Sequence, residues 1–193
     1  MWPVMSYQNP IILPRIKVDY FTSFLDWYTF AIWLKGQSKL DNSEYTRTQL
    51  QKGLHAYNNN SYDEAYSILL PLAESGNAKA QNIIGEFYDN GLVVAEDLAL
   101  AISWYEKSYK QGNFYAKAAL ANIYSGECGN IVDKEVSENY AKEVIELFST
   151  DKYETDSEAL GWLGCLRSSG IGCTKDLALA ETHFKKSIKY GDN

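Results

Sequence analysis

The pentapeptide DLALA occupies Asp97–Ala101 and recurs letter for letter at Asp176–Ala180, 79 residues downstream. The same offset pairs Ala80 with Ala159, Ile84 with Leu163, Gly85 with Gly164, Gly91 with Gly170, Lys107-Ser108 with Lys186-Ser187 and Gly112 with Gly191. A second offset, of 36, pairs Gly76 with Gly112, Ala80 with Ala116, Ile84 with Leu120, Tyr88 with Tyr124 and Asp97 with Asp133. The chain therefore carries three copies of one unit. They begin near Asn77, Asn113 and Asp156, the last displaced by seven extra residues around Phe148 to Thr155.

Each copy reads as two helices. In the first, Ala80, Ile83, Ile84, Phe87 and Tyr88 recur at helical spacing, and Gly91 stands where a helix end favours a residue that tolerates positive φ. The second opens at Asp97, whose carboxylate can cap free backbone N–H groups at the positive end of the helix dipole. It runs through Leu98, Ala101, Ile102, Tyr105 and Tyr109 to Gly112, with alanines that allow a neighbouring helix to approach. Upstream, Leu50, Gly53, Leu54, Ala56 and Tyr57 predict one more helix. Asn58-Asn59-Asn60 breaks it, and Tyr62, Ala65, Tyr66, Leu69 and Leu72 predict the next, with Pro71 expected to kink its end. The division is thus an N-terminal segment, 1–43, a divergent helix pair, 44–76, and repeats at 77–112, 113–155 and 156–193.

Composition agrees with an all-α chain: 46% of residues are hydrophobic and 22% charged, and three of the four prolines precede residue 15. Eighteen Lys and Arg against 25 Asp and Glu give a net charge of −7, which disfavours nucleic acid as a partner. From Asp133 to Glu158 nine acids face three lysines, which accounts for six of the seven net charges. Val136, Tyr140, Val144 and Leu147 are expected to face the core there, leaving Glu135, Glu138, Glu143 and Glu146 in solvent. Such a cluster either solubilises the chain or steers a basic partner to it.

Nothing in the pattern assigns chemistry. Cys128, Cys165 and Cys173 lack metal or disulfide spacing, and His55 and His183 stand alone, so all five read as structural. There is no glycine-rich phosphate loop, paired carboxylate motif or activated nucleophile. No cofactor, metal or catalytic residue is expected, and the chain is read as a non-enzyme.

Residues 1–43 lie outside the repeat. Arg15 and Lys17 precede an apolar run, Tyr20 to Leu34, that superficially resembles a signal peptide. Asp26 interrupts the run, no small-residue cleavage site follows, and fifteen residues are short for a bilayer. No membrane span is expected, and cytoplasmic location is favoured over periplasmic or secreted. Asp19, Thr22, Ser23, Asp26 and Thr29 form a narrow polar stripe on an otherwise aromatic and aliphatic helix. That helix reads either as a cap on the apolar end of the first pair or as a partner or self-association surface.

The residues ESGNAKAQNIIGEFYDNGLVVAEDLALAISWYEKSYKQG resemble a Sel-one-like repeat, a relative of the tetratricopeptide repeat. The matching places are Ala78, Ala80, Gln81, Ile84, Gly85, Tyr88, Gly91, Asp97, Ala101, Trp104 and Tyr105. The middle copy departs at Ala121 and at SENYAKE, and the last copy puts Arg167 at a tyrosine place. The resemblance implies a right-handed α/α solenoid of stacked antiparallel helix pairs whose concave face binds other proteins. Relatives serve as adaptors in signalling, in protein degradation and in bacteria–host contact, and as immunity proteins against secreted toxins. A cysteine-rich branch associated with β-lactams does not fit, because Cys165 and Cys173 do not recur between copies.

Contact residues of such a face are first-helix positions that vary while packing positions stay fixed. Lys79, Tyr115 and Glu158 form one set, Asn82, Ala118 and Gly161 a second, Glu86, Asn122 and Cys165 a third, and Ile83, Ala119 and Trp162 a fourth. Trp162 is large enough to anchor a partner. With Glu138, Glu143 and Glu146 from the acidic stretch, these positions predict a partner protein with a basic surface. A toxin or effector domain is the favoured partner, which makes a small bacterial immunity protein the expected role, with a signalling or virulence-related adaptor as the alternative and an enzyme of unknown chemistry a distant third.

Overall fold

The structure is a computed structural model and describes residues 43–126 and 132–191. The chain divides into two units, 1–45 and 46–193. The first lies almost wholly outside the described residues, as do Cys128 and the N-terminal aromatic helix read above. Among the described residues there are eight α-helices, one short 3-10 helix (Asp151–Tyr153) and no strand. The α-helices are α1 (43–58), α2 (Tyr62–Glu74), α3 (Ala78–Asp89), α4 (Leu98–Tyr109), α5 (Phe114–Tyr124), α6 (Lys134–Phe148), α7 (Ser157–Ser169) and α8 (Leu177–Gly191). Each helix packs on the next in sequence from α2 to α8, with an added contact from α5 to α7. That is a solenoid of helix pairs, in which each repeat buries its apolar face on its neighbour.

Local chemistry sets the helix starts. The side chains of Asn77, Asp97, Asn113, Asp133, Asp156 and Asp176 each accept a backbone N–H from the first turn of the helix they precede. The loop inside each repeat is tied the same way three times, by the N–H of Asp97, Asp133 and Asp176 donating to the carbonyl of Tyr88, Tyr124 and Arg167. Arg167 keeps this link because the bond uses its backbone. Gly91 and Gly170 have φ of +60° and +79°, a conformation other residues adopt only with strain. Pro71 sits in the last turn of α2, which runs on to Glu74.

Between the helices of a repeat, small residues admit large ones. A Cβ at Gly85 would stand 2.7 Å from the Tyr105 ring, and one at Gly164 2.5 Å from the Phe184 ring. In the middle repeat the same two places hold Ala121 and Ala141, so an added methyl faces a shortened partner. Ser108 and Ser187, also equivalent, donate to the carbonyls of Ala78 and Ser157 at 2.6 and 2.7 Å.

The acidic stretch departs from expectation. The buried line of α6 is Ser137, Ala141, Val144 and Phe148, with Val136, Tyr140 and Leu147 only half-buried. Two contacts turn the helix this way. The Ser137 hydroxyl donates to the Ala121 carbonyl at 2.6 Å, and Phe148 stacks between Tyr115 and Tyr153 with ring centroids 5.2 and 5.0 Å away.

Candidate functional site

A groove of about 700 Å³ is lined by the first helices of successive pairs: Leu54 and Tyr57 from α1, Lys79, Ile83 and Glu86 from α3, Asn122 from α5, and Glu158 and Trp162 from α7. A smaller hollow of about 320 Å³ adjoins it, shares Lys79, Ile83 and Glu158, and is walled by Asn82 and Tyr115. Of the fifteen positions proposed from sequence, eight therefore meet around one continuous trough: Lys79, Asn82, Ile83, Glu86, Tyr115, Asn122, Glu158 and Trp162. Gly161 and Cys165 do not line it, and Ala118 and Ala119, expected as contact positions, are instead buried in the core because α5 is packed against α4, α6 and α7. The repeat explains why. One helix position in each copy projects to the same side of the stack, so residues far apart in sequence become neighbours.

Four carboxylates and one lysine line the groove among the described residues: Glu86, Asp89, Glu96 and Glu158 against Lys79. Glu86 is the deepest. Its two oxygens accept Tyr57 Oη at 2.6 Å and Asn82 Nδ2 at 2.7 Å, and burial pushes its carboxyl above the usual range despite those donors. Asp89 is also raised by burial, and accepts the Tyr105 hydroxyl at 3.2 Å. Glu158 reaches water at the groove mouth yet has protein on most sides; desolvation, then repulsion from Glu86, pushes it up to about 7 against the pull of Lys79. No hydrogen bond or ion pair holds Glu158 among the described residues. Sequence reasoning missed Tyr57, Asp89 and Tyr105 as groove residues; their apolar spacing and repeat position marked packing, and no local signal marked a hydrogen-bonding role.

Trp162 is half-buried, packs against the core cluster shared by the first and middle repeats and against the one shared by the middle and last, and shows its remaining surface to the groove. Tyr115 is fixed at the trough wall by donating to Asp156 at 2.6 Å.

Glu138, Glu143 and Glu146 stand apart from this trough on α6. Glu138 pairs with Lys142 at 3.6 Å on the surface. Glu143, expected as a solvated charge, instead bonds Lys117, whose side chain is 1% exposed. The Lys117 ammonium is boxed by Tyr109, Tyr140 and Phe114, with ring centroids 4.7, 4.8 and 5.6 Å away. Burial alone pulls Lys117 down, but Glu143 and Tyr109 outweigh it and its pKa is raised. Glu146 is exposed. Two of the three acids are thus committed to lysines of this chain.

Among the described residues no three of His, Cys, Asp and Glu converge as a metal site, and no helix is long and apolar enough to cross a membrane. Cys165 is exposed on α7, Cys173 lies 3.7 Å from the Leu166 carbonyl, His55 meets the Asn59 amide, and His183 meets the Leu179 carbonyl.

Comparison with known proteins bears on the family. The Sel1 repeat model matches residues 78–113 and 157–192. The crystal structure of a Sel1 repeat protein from Oxalobacter formigenes is 26% identical, with 74% of this chain and 56% of that one covered and a TM-score of 0.49. A protective antigen of uropathogenic Escherichia coli strains displaying an SLR fold is 23% identical, with 82% and 33% covered and a TM-score of 0.50. The chain thus spans about half and about a third of these two proteins. No curated protein matches it. Proteins built from Sel1 repeats are protein-interaction modules. With its capped helix pairs, the chain is a helical repeat protein that carries Sel1 repeats at residues 78–113 and 157–192.

Proposed function

We propose that the chain is a non-enzymatic binding protein that receives a basic segment of a partner protein in the trough between α1, α3, α5 and α7, and that its role is that of a small bacterial immunity protein. One observation carries the binding reading. First-helix positions that differ between repeats, Lys79, Ile83, Glu86, Asn122, Glu158 and Trp162, line a single acidic groove. A groove with four carboxylates, one lysine and a tryptophan wall suits cationic side chains carried on an extended segment. Neutralising a toxin would use that surface by covering basic residues the toxin needs for an anionic target; an adaptor would use the same surface with another basic partner.

Co-expression with the product of the adjoining reading frame tests the immunity role. Protection of the host by the wild-type chain, and loss of protection with Trp162→Ala at equal protein level, supports it. A neighbouring product that is harmless alone and binds through this groove returns the protein to the adaptor role.

A further inference from the structure

Resting on the groove reading, we propose that the smaller hollow is an arginine site: a guanidinium from the partner segment lies between the Glu158 carboxylate and the Asn82 side-chain carbonyl, over Ile83. Asn82 is 4% exposed, and its Oδ1 is buried without a hydrogen-bond partner. Its Nδ2 is already given to Glu86, which orients the amide and leaves the carbonyl as the unused end. Buried polar atoms in native proteins find partners, so an orphaned acceptor in a groove wall points to a donor that arrives with a ligand. Glu158 walls the same hollow and is likewise held by nothing else among the described residues.

The two acceptors differ in kind, one charged and near water, one neutral and buried. A planar guanidinium, with donors spread around a fork and weak hydration, serves both at once better than a compact, strongly hydrated ammonium. Tyr115, Gln111 and Lys79 complete the wall. Tyr115 is occupied by Asp156 and Gln111 by Gln81, so neither competes for Glu158. Lys79 is exposed on a long stem and can turn to solvent; it opposes the incoming cation, and its removal should strengthen binding. The groups that set the Glu158 charge are Glu86, Lys79 and Asp156. Because its carboxyl is pushed up to about 7, a cation bound beside it expels a proton near neutrality, and arginine binding tightens as pH rises from 6 to 8.

The full chain, with labelled asparagine side chains, is titrated with acetyl-Gly-Arg-Gly-amide and with the same peptide carrying neutral citrulline. The arginine peptide is expected to shift the Asn82 amide saturably. Glu158→Gln should weaken it by about tenfold, the loss expected for one charge-assisted contact, and Lys79→Met should strengthen it. Both substitutions sit on exposed side chains and leave the fold intact. Equal shifts with citrulline, no saturable Asn82 shift, or indifference to Glu158→Gln would overturn the arginine site. If the arginine peptide fails while the partner protein still loses affinity in Trp162→Ala, the groove reading stands without this site; if the partner ignores both Trp162→Ala and Glu158→Gln, the groove reading falls as well.

Discussion

Gly85 and Tyr105 fit as a matched pair, the ring lying where a Cβ on residue 85 would be, 2.7 Å away. Gly164 and Phe184 repeat the relationship, and Ala121 with Ala141 replaces it by a methyl on each side. Gly85→Ala is therefore expected to destabilise by about 2 kcal/mol through overpacking. Adding Tyr105→Ala should make the double variant less destabilised than the sum of the singles by about 1 kcal/mol or more. Urea unfolding of the four proteins in this cycle measures it; strict additivity would show that the two residues do not pack against each other.

The buried Lys117 and the exposed Glu143 predict asymmetric costs. Glu143→Ala leaves an ammonium boxed by aromatic rings without its anion and should cost about 1–2 kcal/mol. Lys117→Met places an apolar chain of similar length in the same box and should lie within about 1 kcal/mol of wild type at pH 7. The folded pKa of Lys117 is above 10.5, so its contribution is complete below that value and is lost only as pH climbs through the folded one. Thermal melts of both variants at pH 7 and pH 11 check the order and the sign.

Glu158 predicts the opposite pH trend from a salt-bridged acid. Its folded value is about 7 against 4.5 for the ordinary carboxyl, so the folded state holds the extra proton between those values. Its contribution is most favourable at pH 4.5 and below, and stability falls as pH rises toward 7. Glu158→Gln should melt higher than wild type at pH 8 and together with it near pH 4. Glu86 and Asp89, raised by burial as well, add slopes of the same sign that the variant leaves in place. Parallel melting curves for the two proteins across that range would contradict the crowding of Glu158.

Helix capping gives a further check on the repeat. Asp133 accepts the Val136 N–H at 3.1 Å, and Asp133→Ala should cost about 1 kcal/mol. Hydrogen exchange should show the loss first at the start of α6.

The fold was legible because the repeat carries its own alignment. Equivalent caps at Asp97, Asp133 and Asp176 mark the second helix of each copy, and equivalent glycines at 85 and 164 mark the first helix of two of them. The trough was legible in part for the same reason: varying first-helix positions converge once copies stack. What the sequence hid depends on exchanges between polar and apolar roles. Ser137 takes a buried alanine position because its hydroxyl finds the Ala121 carbonyl, so Ser137, Ala141 and Phe148 replace Val136, Tyr140 and Leu147 in the buried line of α6, while Val144 is buried as expected. Lys117 reads as a surface lysine, yet three aromatic side chains from α4, α5 and α6 enclose it. Its need for an anion then removes Glu143 from the solvated acids.

The trough as a docking surface is tested most directly by titrating the partner protein into the wild-type chain and into Trp162→Ala, at low and high salt, with the melting temperature of each variant measured alongside. Trp162→Ala should lose about 2 kcal/mol of binding, roughly thirtyfold in Kd, and wild-type association should slow as salt screens the acidic groove. Unchanged affinity in a folded Trp162→Ala, or an association rate indifferent to salt, would contradict docking of a basic segment in this groove.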